Sequence, residues 1–151
     1  LLHSMVVAYV LKGENRFKII AYERAIHTIE NTTYDVHTLW EKGELYTITG
    51  IGQTILSHIE NYFKDPKTSY FSKIIYSVPQ SVFILLNIGG IGPKRAYALT
   101  HALKLKNPQH AIEELAKACE QNKVAGLDSF GEKSQHDIYQ AIILYKKNMH
   151  K

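Results

Sequence analysis

The chain has 151 residues, of which 45% are hydrophobic and 21% are charged, so it encodes a folded protein of one medium domain or two small ones. Its 18 basic and 14 acidic residues leave a net charge of +4, which excludes a uniformly basic surface and requires local patches for any polyanion. A single cysteine excludes an internal disulfide and predicts a reducing compartment, the cytoplasm. No apolar run approaches the roughly 20 residues of a membrane span.

The first third of the chain has helical periodicity. The apolar residues 1–7 lack a basic leader and a cleavage site, which favours a helix interior over a signal peptide and predicts an excerpt of a longer protein. A first helix is expected to end near Leu11, a second to run from Asn15 to Glu30, and a short third to contain Val36.

The rest of the chain is also predicted to be helical, without a strand pattern, so the predicted fold class is all-α. A helix after residue 52 has a clear apolar stripe, and the Lys-Asp-Pro-Lys-Thr break at residues 64–68 follows it. We therefore predict two helical domains, residues 1–66 and 79–151, joined by a helical segment over 67–78.

A short pattern recurs three times at intervals of about 40 residues, each time before an amphipathic helix. The copies are residues 48–52, 88–92 and 127–131, and each sets an apolar residue between two small ones. Glycine accepts positive φ and has no Cβ to obstruct a close approach, so each copy predicts a tight hairpin between two helices. The apolar residues, Ile51, Ile91 and Phe130, are expected to enter the core.

The first N–H groups of a helix have no partner within the helix and favour an anion. On a mildly basic protein the expected anion is a nucleic-acid phosphate, contacted without readout of base sequence. The second copy adds two cations and the third adds one, whereas the first relies on amides. The predicted contact residues are Gly50, Gly52, Gln53, Thr54, Gly90, Gly92, Lys94, Arg95, Gly131 and Lys133. The alternative for each copy is a helix–helix turn without a ligand.

These hairpins resemble the helix-hairpin-helix motif of DNA-repair proteins, and their order resembles the amino-terminal region of the family X (polymerase beta-like) DNA polymerases. Residues 12–25 resemble the start of the amino-terminal domain, and 45–59 resemble its hairpin. Residues 78–96 resemble the hairpin of the fingers-like subdomain, and 128–133 resemble a third motif of prokaryotic members, with Ser129 where glycine is usual. The resemblance covers nearly the whole chain and implies tandem helix-hairpin-helix subdomains.

The resemblance also implies a ligand, gapped or nicked duplex DNA, and places Lys18 and Tyr22 in a pocket for the 5′-phosphate side of a gap. It implies Na⁺ or K⁺ bound by main-chain carbonyls of the first two hairpins, which by position are those of Tyr46, Ile48, Ile51, Leu86, Ile88 and Ile91. Polymerase chemistry needs carboxylates that hold two metal ions, and the sequence contains no Asp-x-Asp. The catalytic region of a polymerase is therefore expected beyond Lys151, as a partner region of the same protein.

Some members of this family are also deoxyribose-phosphate lyases that use a lysine as a Schiff-base nucleophile. The matching position is His58, and Thr54 occupies the position of another family lysine. Histidine cannot form an imine, so the chain is predicted to lack lyase activity by that route, and nothing positions Lys64, Lys67 or Lys73 as a substitute.

Three other functions stay open at this point: a lyase for abasic DNA, a protein-interaction module that keeps the hairpins as a scaffold, and a free-standing DNA-binding protein of another hairpin family. The eight histidines show no paired metal-ligand spacing. Cys119 lies on an apolar helix face and is expected in the core, as are the stripes that contain Tyr62, Tyr97 and Tyr145.

Overall fold

The computed structural model describes residues 1–33 and 35–150, so Lys151, at the end of the second predicted domain, lies outside it. Within these residues the secondary structure is helical throughout, with nine α-helices, short 3₁₀ turns and no strand, which confirms the predicted all-α class. None of these helices is long and apolar enough to cross a membrane. The chain divides into two compact units, Leu1–Val78 and Pro79–Lys151.

The first unit contains five α-helices. They are α1 (Leu2–Lys12), α2 (Arg16–Glu30), α3 (Val36–Glu41), α4 (Gln53–Lys64) and α5 (Tyr70–Ile75). α1 ends where Gly13 adopts φ 68°, a left-handed conformation that releases the chain from the helix. The Asn15 side chain then caps α2 by accepting a hydrogen bond from the Phe17 N–H at 2.7 Å.

The core of the first unit lies where α1, α2, α4 and α5 pack together. Met5, Ala25 and Phe71 are completely buried in it, and Leu45 and Leu56 are almost so. Phe71 lies in the segment that the sequence analysis assigns to a connection between two domains. Its ring instead contacts Tyr22 and Tyr62, so residues 67–78 pack as part of the first unit.

The second unit contains the other four α-helices. They are α6 (Gln80–Leu85), α7 (Pro93–Ala102), α8 (Ala111–Glu120) and α9 (Glu132–Met149). α6 packs against α7 and α8, and α8 packs against α9. The completely or almost completely buried apolar side chains include Val82, Leu85, Leu99, Leu115 and Ile142.

Local signals account for helix starts in the second unit as well. Pro93 occupies the first position of α7, where a missing N–H has no cost. The Asn107 side chain accepts a hydrogen bond from the Gln109 N–H at 3.0 Å, as expected of a cap before Pro108. Cys119 is buried, as expected, and burial raises the pKa of its thiol to about 11. Tyr97 was expected to lie in the core, and this expectation is wrong, since 43% of the residue is exposed.

Candidate nucleic-acid interface

The three hairpin tips share a left-handed residue at the same position. The first small residue of each tip adopts a positive φ: 92° at Gly50, 84° at Gly90 and 67° at Ser129. The apolar residue that follows turns inward, and Ile51 and Ile91 are only 9% and 5% exposed. Phe130 is half-buried in the third tip. The serine of the third copy therefore occupies a left-handed position that glycine adopts without strain.

The helix after each tip begins on a glycine that provides no capping side chain. Gly52, Gly92 and Gly131 are the N-cap residues of α4, α7 and α9, and no side chain caps any of the three. Their carbonyls accept hydrogen bonds from the N–H groups four residues later, at 3.1, 2.9 and 2.9 Å. The N–H groups in between therefore face outward without a partner inside the helix.

Among the α-helices of the described residues, a side chain caps only α2 and α5. Asn15 caps α2, and the Ser69 hydroxyl caps α5 by accepting from the Ser72 N–H at 3.2 Å. At the hairpins a glycine occupies the position where a serine or asparagine would consume one of the donors. Gly52 and Gly92 are exposed, and a Cβ built on either meets no atom within 4 Å. Space for an anion is thus present at both helix starts.

Exposed cations accompany the tips of the second unit. Lys94, Arg95 and Lys133 are all exposed, and within residues 1–33 and 35–150 none of them forms an ion pair. The Arg95 guanidinium lies 5.3 Å from the centre of the Phe130 ring. This contact joins the first turn of α7 to the third tip, so the second and third hairpins are neighbours in the fold. Sequence reasoning assigned cations to the second and third hairpins and missed the contact between Arg95 and the third tip.

The first unit places the two residues of the implied 5′-phosphate pocket very differently. Lys18 is exposed, with its amine 4.8 Å above the Tyr9 ring and 3.9 Å from the Glu14 carboxylate. Tyr22 is 3% exposed, and its ring packs edge-on against Tyr9 and Phe71. Burial raises the pKa of the Tyr22 hydroxyl. Tyr22 therefore supports Tyr9 beneath the Lys18 amine, and its ring is part of the core.

Next to Lys18 lies a group that sequence spacing could not reveal. The His58 ring stacks on Tyr70, with centroids 4.2 Å apart, and Tyr70 exchanges a 2.6 Å hydrogen bond with the Tyr9 hydroxyl. Burial lowers the pKa of His58, and the positive charge of Lys18 lowers it further. The buried Nδ1 atom of His58 has no hydrogen-bond partner. An imidazole in this setting is neutral near pH 7 and lacks the primary amine that imine formation needs.

The carbonyls implied for a monovalent cation lie in the turns before α4 and α7. The Ile88 oxygen accepts the Ile91 N–H at 3.2 Å, which closes the second turn. A carbonyl oxygen has two lone pairs, so this bond leaves it able to coordinate a cation. A set of main-chain oxygens fits a hard ion such as Na⁺ or K⁺. Among the described residues, no group of three or more His, Cys, Asp or Glu side chains could hold a metal ion.

Comparison with known proteins assigns this architecture. Residues 1–67 match the family model of a helix-hairpin-helix domain. Over 142 residues the chain is 35% identical to the DNA polymerase/3'-5' exonuclease PolX of Bacillus subtilis (strain 168), an alignment that covers 94% of this chain and 24% of the relative. The chain thus spans about a quarter of the length of the curated relative it matches. Together with the fold, these matches confirm that residues 1–67 are a helix-hairpin-helix domain and that nearly the whole chain resembles the amino-terminal region of a family X DNA polymerase.

Proposed function

We propose that this chain binds DNA through its sugar-phosphate backbone, without reading base sequence, as the amino-terminal part of a family X repair polymerase. The observation that carries this proposal is the repeated helix start at α4, α7 and α9, which is left uncapped behind an exposed or half-exposed glycine. Hydrogen bonds from such amides to an ionised phosphate oxygen contribute about 1.5–3 kcal/mol each. These donors belong to the main chain and contact no base, so they position a duplex without selecting a sequence.

The adjoining side chains supply the long-range attraction. Lys94 and Arg95 lie beside the second tip, and Arg95 contacts the third tip through Phe130. Lys133 lies in the first turn of α9, and Lys18 is exposed in the first unit. We assign Lys18 to the 5′-phosphate side of a gap or nick and the paired hairpins of the second unit to the continuous duplex. Polymerase activity, in this proposal, belongs to another region of the same cytoplasmic protein.

The direct test replaces the two cations of α7 together. The Lys94→Gln, Arg95→Gln double variant is measured by fluorescence anisotropy against several duplexes of unrelated sequence over a range of salt concentrations. With four phosphate contacts, the logarithm of the DNA association constant falls with the logarithm of the salt concentration with a slope of about −3.6. Loss of two contacts should make this slope shallower, at about −1.8. We expect weaker binding to every duplex by a similar factor.

A matched control removes the same charge elsewhere in the unit. Lys117 and Lys147 are exposed on α8 and α9 and belong to none of the three tips, and the Lys117→Gln, Lys147→Gln variant should keep the unmodified slope. An equal loss in this control, or a loss confined to one DNA sequence, would contradict the proposal. The absence of DNA affinity even at low salt would favour a protein-interaction module instead.

A lyase for abasic DNA is the enzymatic alternative. His58 occupies the nucleophile position, and Lys64 is paired with Glu60 at 3.3 Å. We therefore expect borohydride to trap no adduct with a 5′-deoxyribose-phosphate substrate. A trapped adduct would assign the lyase reaction to this region.

A further inference from the structure

One cavity of the second unit lies at the end of the α6–α7 pair opposite the hairpin tip. It has a volume of about 540 Å³, and its lining includes Ser81, Tyr97, Thr100, His101, Lys104 and Lys106. Ser81 is near the start of α6 and Thr100 near the end of α7, whereas the tip joins the other two ends. Thr100 lies about 10 Å beyond Pro93 along the axis of α7, so this hydroxyl and the loop that follows α7 are separate from a phosphate at the tip.

Two hydroxyl groups in this cavity have no hydrogen-bond partner. Ser81 is 1% exposed and Thr100 is 6% exposed, and the Oγ of Ser81 and the Oγ1 of Thr100 are both buried without a partner. A buried hydroxyl without a hydrogen bond costs about 1–3 kcal/mol. Both residues line the cavity, and a ligand that displaces the atoms covering these two hydroxyls would supply the missing partner.

The rim of the cavity is basic. Lys104 and Lys106 are exposed, and no acidic residue is among those that line the cavity in the described part of the chain. The loop that holds them is fixed by hydrogen bonds from the Lys104 N–H to the His101 carbonyl and from the Leu105 N–H to the Thr100 carbonyl, at 3.3 and 3.0 Å. The backbone of both lysines is therefore fixed at one end of α7.

Two aromatic rings complete the lining. The Tyr97 and His101 rings are parallel to within 3°, with centroids 6.2 Å apart, and both residues are exposed. Exposed aromatic rings beside a basic groove are the usual platform on which the bases of single strands stack. An acidic peptide would satisfy the lysines and leave the ring faces unused.

We propose that this cavity binds one nucleotide unit of single-stranded DNA, with the phosphate on Lys104 and Lys106 and the base on Tyr97. The buried hydroxyls of Ser81 and Thr100 hydrogen-bond the same unit. The site is separate from the hairpins and adds a contact for a strand that leaves the duplex. It goes beyond the backbone contacts proposed above, since it holds a base as well as a phosphate.

The test compares two double variants of the whole chain by fluorescence anisotropy. The probes are a labelled twelve-residue oligothymidylate and a labelled blunt duplex. Lys104→Gln, Lys106→Gln should weaken oligothymidylate binding about tenfold and keep duplex binding, because only the cavity loses charge. Lys94→Gln, Arg95→Gln should weaken duplex binding and keep oligothymidylate binding. If only the Lys104→Gln, Lys106→Gln variant departs from its expected result, the cavity site is overturned. If only the Lys94→Gln, Arg95→Gln variant does, the proposed function is overturned.

Stacking and the buried hydroxyls are tested separately. Tyr97→Leu should lower affinity for the oligothymidylate about tenfold and leave affinity for an abasic strand of equal length unchanged. Thr100→Val should raise the unfolding midpoint, because it removes a buried unpartnered hydroxyl, and should weaken strand binding. Equal losses on both strands for Tyr97→Leu would exclude base stacking.

Competition distinguishes the source of the nucleotide. Unlabelled oligothymidylate should displace the labelled strand at a far lower concentration than thymidine monophosphate does. Displacement by the mononucleotide alone would assign the cavity to a free nucleotide. Binding of a labelled polyglutamate peptide that depends on Lys104 and Lys106, without strand binding, would overturn the proposal in favour of an acidic partner.

Discussion

The substitution Gly92→Ala separates the folding role of a hairpin glycine from its role in phosphate contact. Gly92 is the N-cap of α7, with φ −91° and ψ −179°, a backbone conformation that any residue adopts. A Cβ at this position meets no protein atom within 4 Å, so alanine fits the fold without a clash. The methyl group instead enters open space at the start of α7, beside the proposed phosphate position.

The two expected magnitudes differ widely. Alanine restricts the unfolded chain more than glycine does, which stabilises the fold by about 0.4–1 kcal/mol, while its poorer capping costs about as much. The net change in the free energy of unfolding should be within about 0.5 kcal/mol of zero. A displaced phosphate loses charge-assisted hydrogen bonds worth about 1.5–3 kcal/mol each, so the DNA affinity should fall at least about tenfold.

Urea unfolding followed by circular dichroism measures the first quantity, and anisotropy with a labelled duplex at fixed salt measures the second. Gly90→Ala is the matched variant, since Gly90 adopts φ 84° and alanine there carries about 1–2 kcal/mol of left-handed strain. We expect Gly92→Ala to lose binding while it stays stable, and Gly90→Ala to lose stability. A stable Gly92→Ala variant with unchanged duplex affinity would refute the close approach of a phosphate to this tip.

Two further predictions concern the third tip and the histidine of the first unit. Ser129→Gly should raise the free energy of unfolding by about 0.5–1 kcal/mol in urea titrations, because glycine adopts φ 67° without strain; a destabilised variant would contradict this. The pKa of His58 is lower in the folded chain than in the unfolded chain. As the pH falls below about 6.5, the unfolded chain therefore binds a proton at His58 more readily than the folded chain does, which lowers the free energy of unfolding. His58→Phe keeps a ring against Tyr70 and should reduce the loss of stability between about pH 7.5 and 5.5; an unchanged pH profile would show that this histidine titrates normally.

Local chemistry explains the parts of the fold that the sequence predicted well. A cap at Asn15, a first-turn proline at Pro93 and a left-handed glycine at Gly50 each act within four residues, so a short window of sequence contains the whole signal. Their helix starts and hairpin turns are where the spacing placed them. The all-α class follows, since several segments have apolar stripes at helical spacing and the sequence contains no convincing strand pattern.

The burial of Tyr22 depends on contacts that no short window contains. Tyr22 lies in α2, but its ring is covered by Tyr9 of α1 and by Phe71 of α5, nearly 50 residues later in the chain. A helical stripe identifies the inward face of α2 without showing how deeply that face is covered. The stacking of His58 on Tyr70 also depends on a contact between two helices, α4 and α5. The sequence alone therefore did not show that His58 lies beside Lys18.

The candidate interface divides in the same way between local and distant causes. Uncapped amides are a property of the sequence at each tip, because a glycine N-cap cannot close its own helix start. The proximity of the second and third tips is a property of the fold, since Arg95 reaches Phe130 only when α7 and the third tip come together. With a net charge of only +4, affinity for a polyanion has to come from such a concentration of donors. Separating the two tips should therefore weaken DNA binding more than the loss of one cation does.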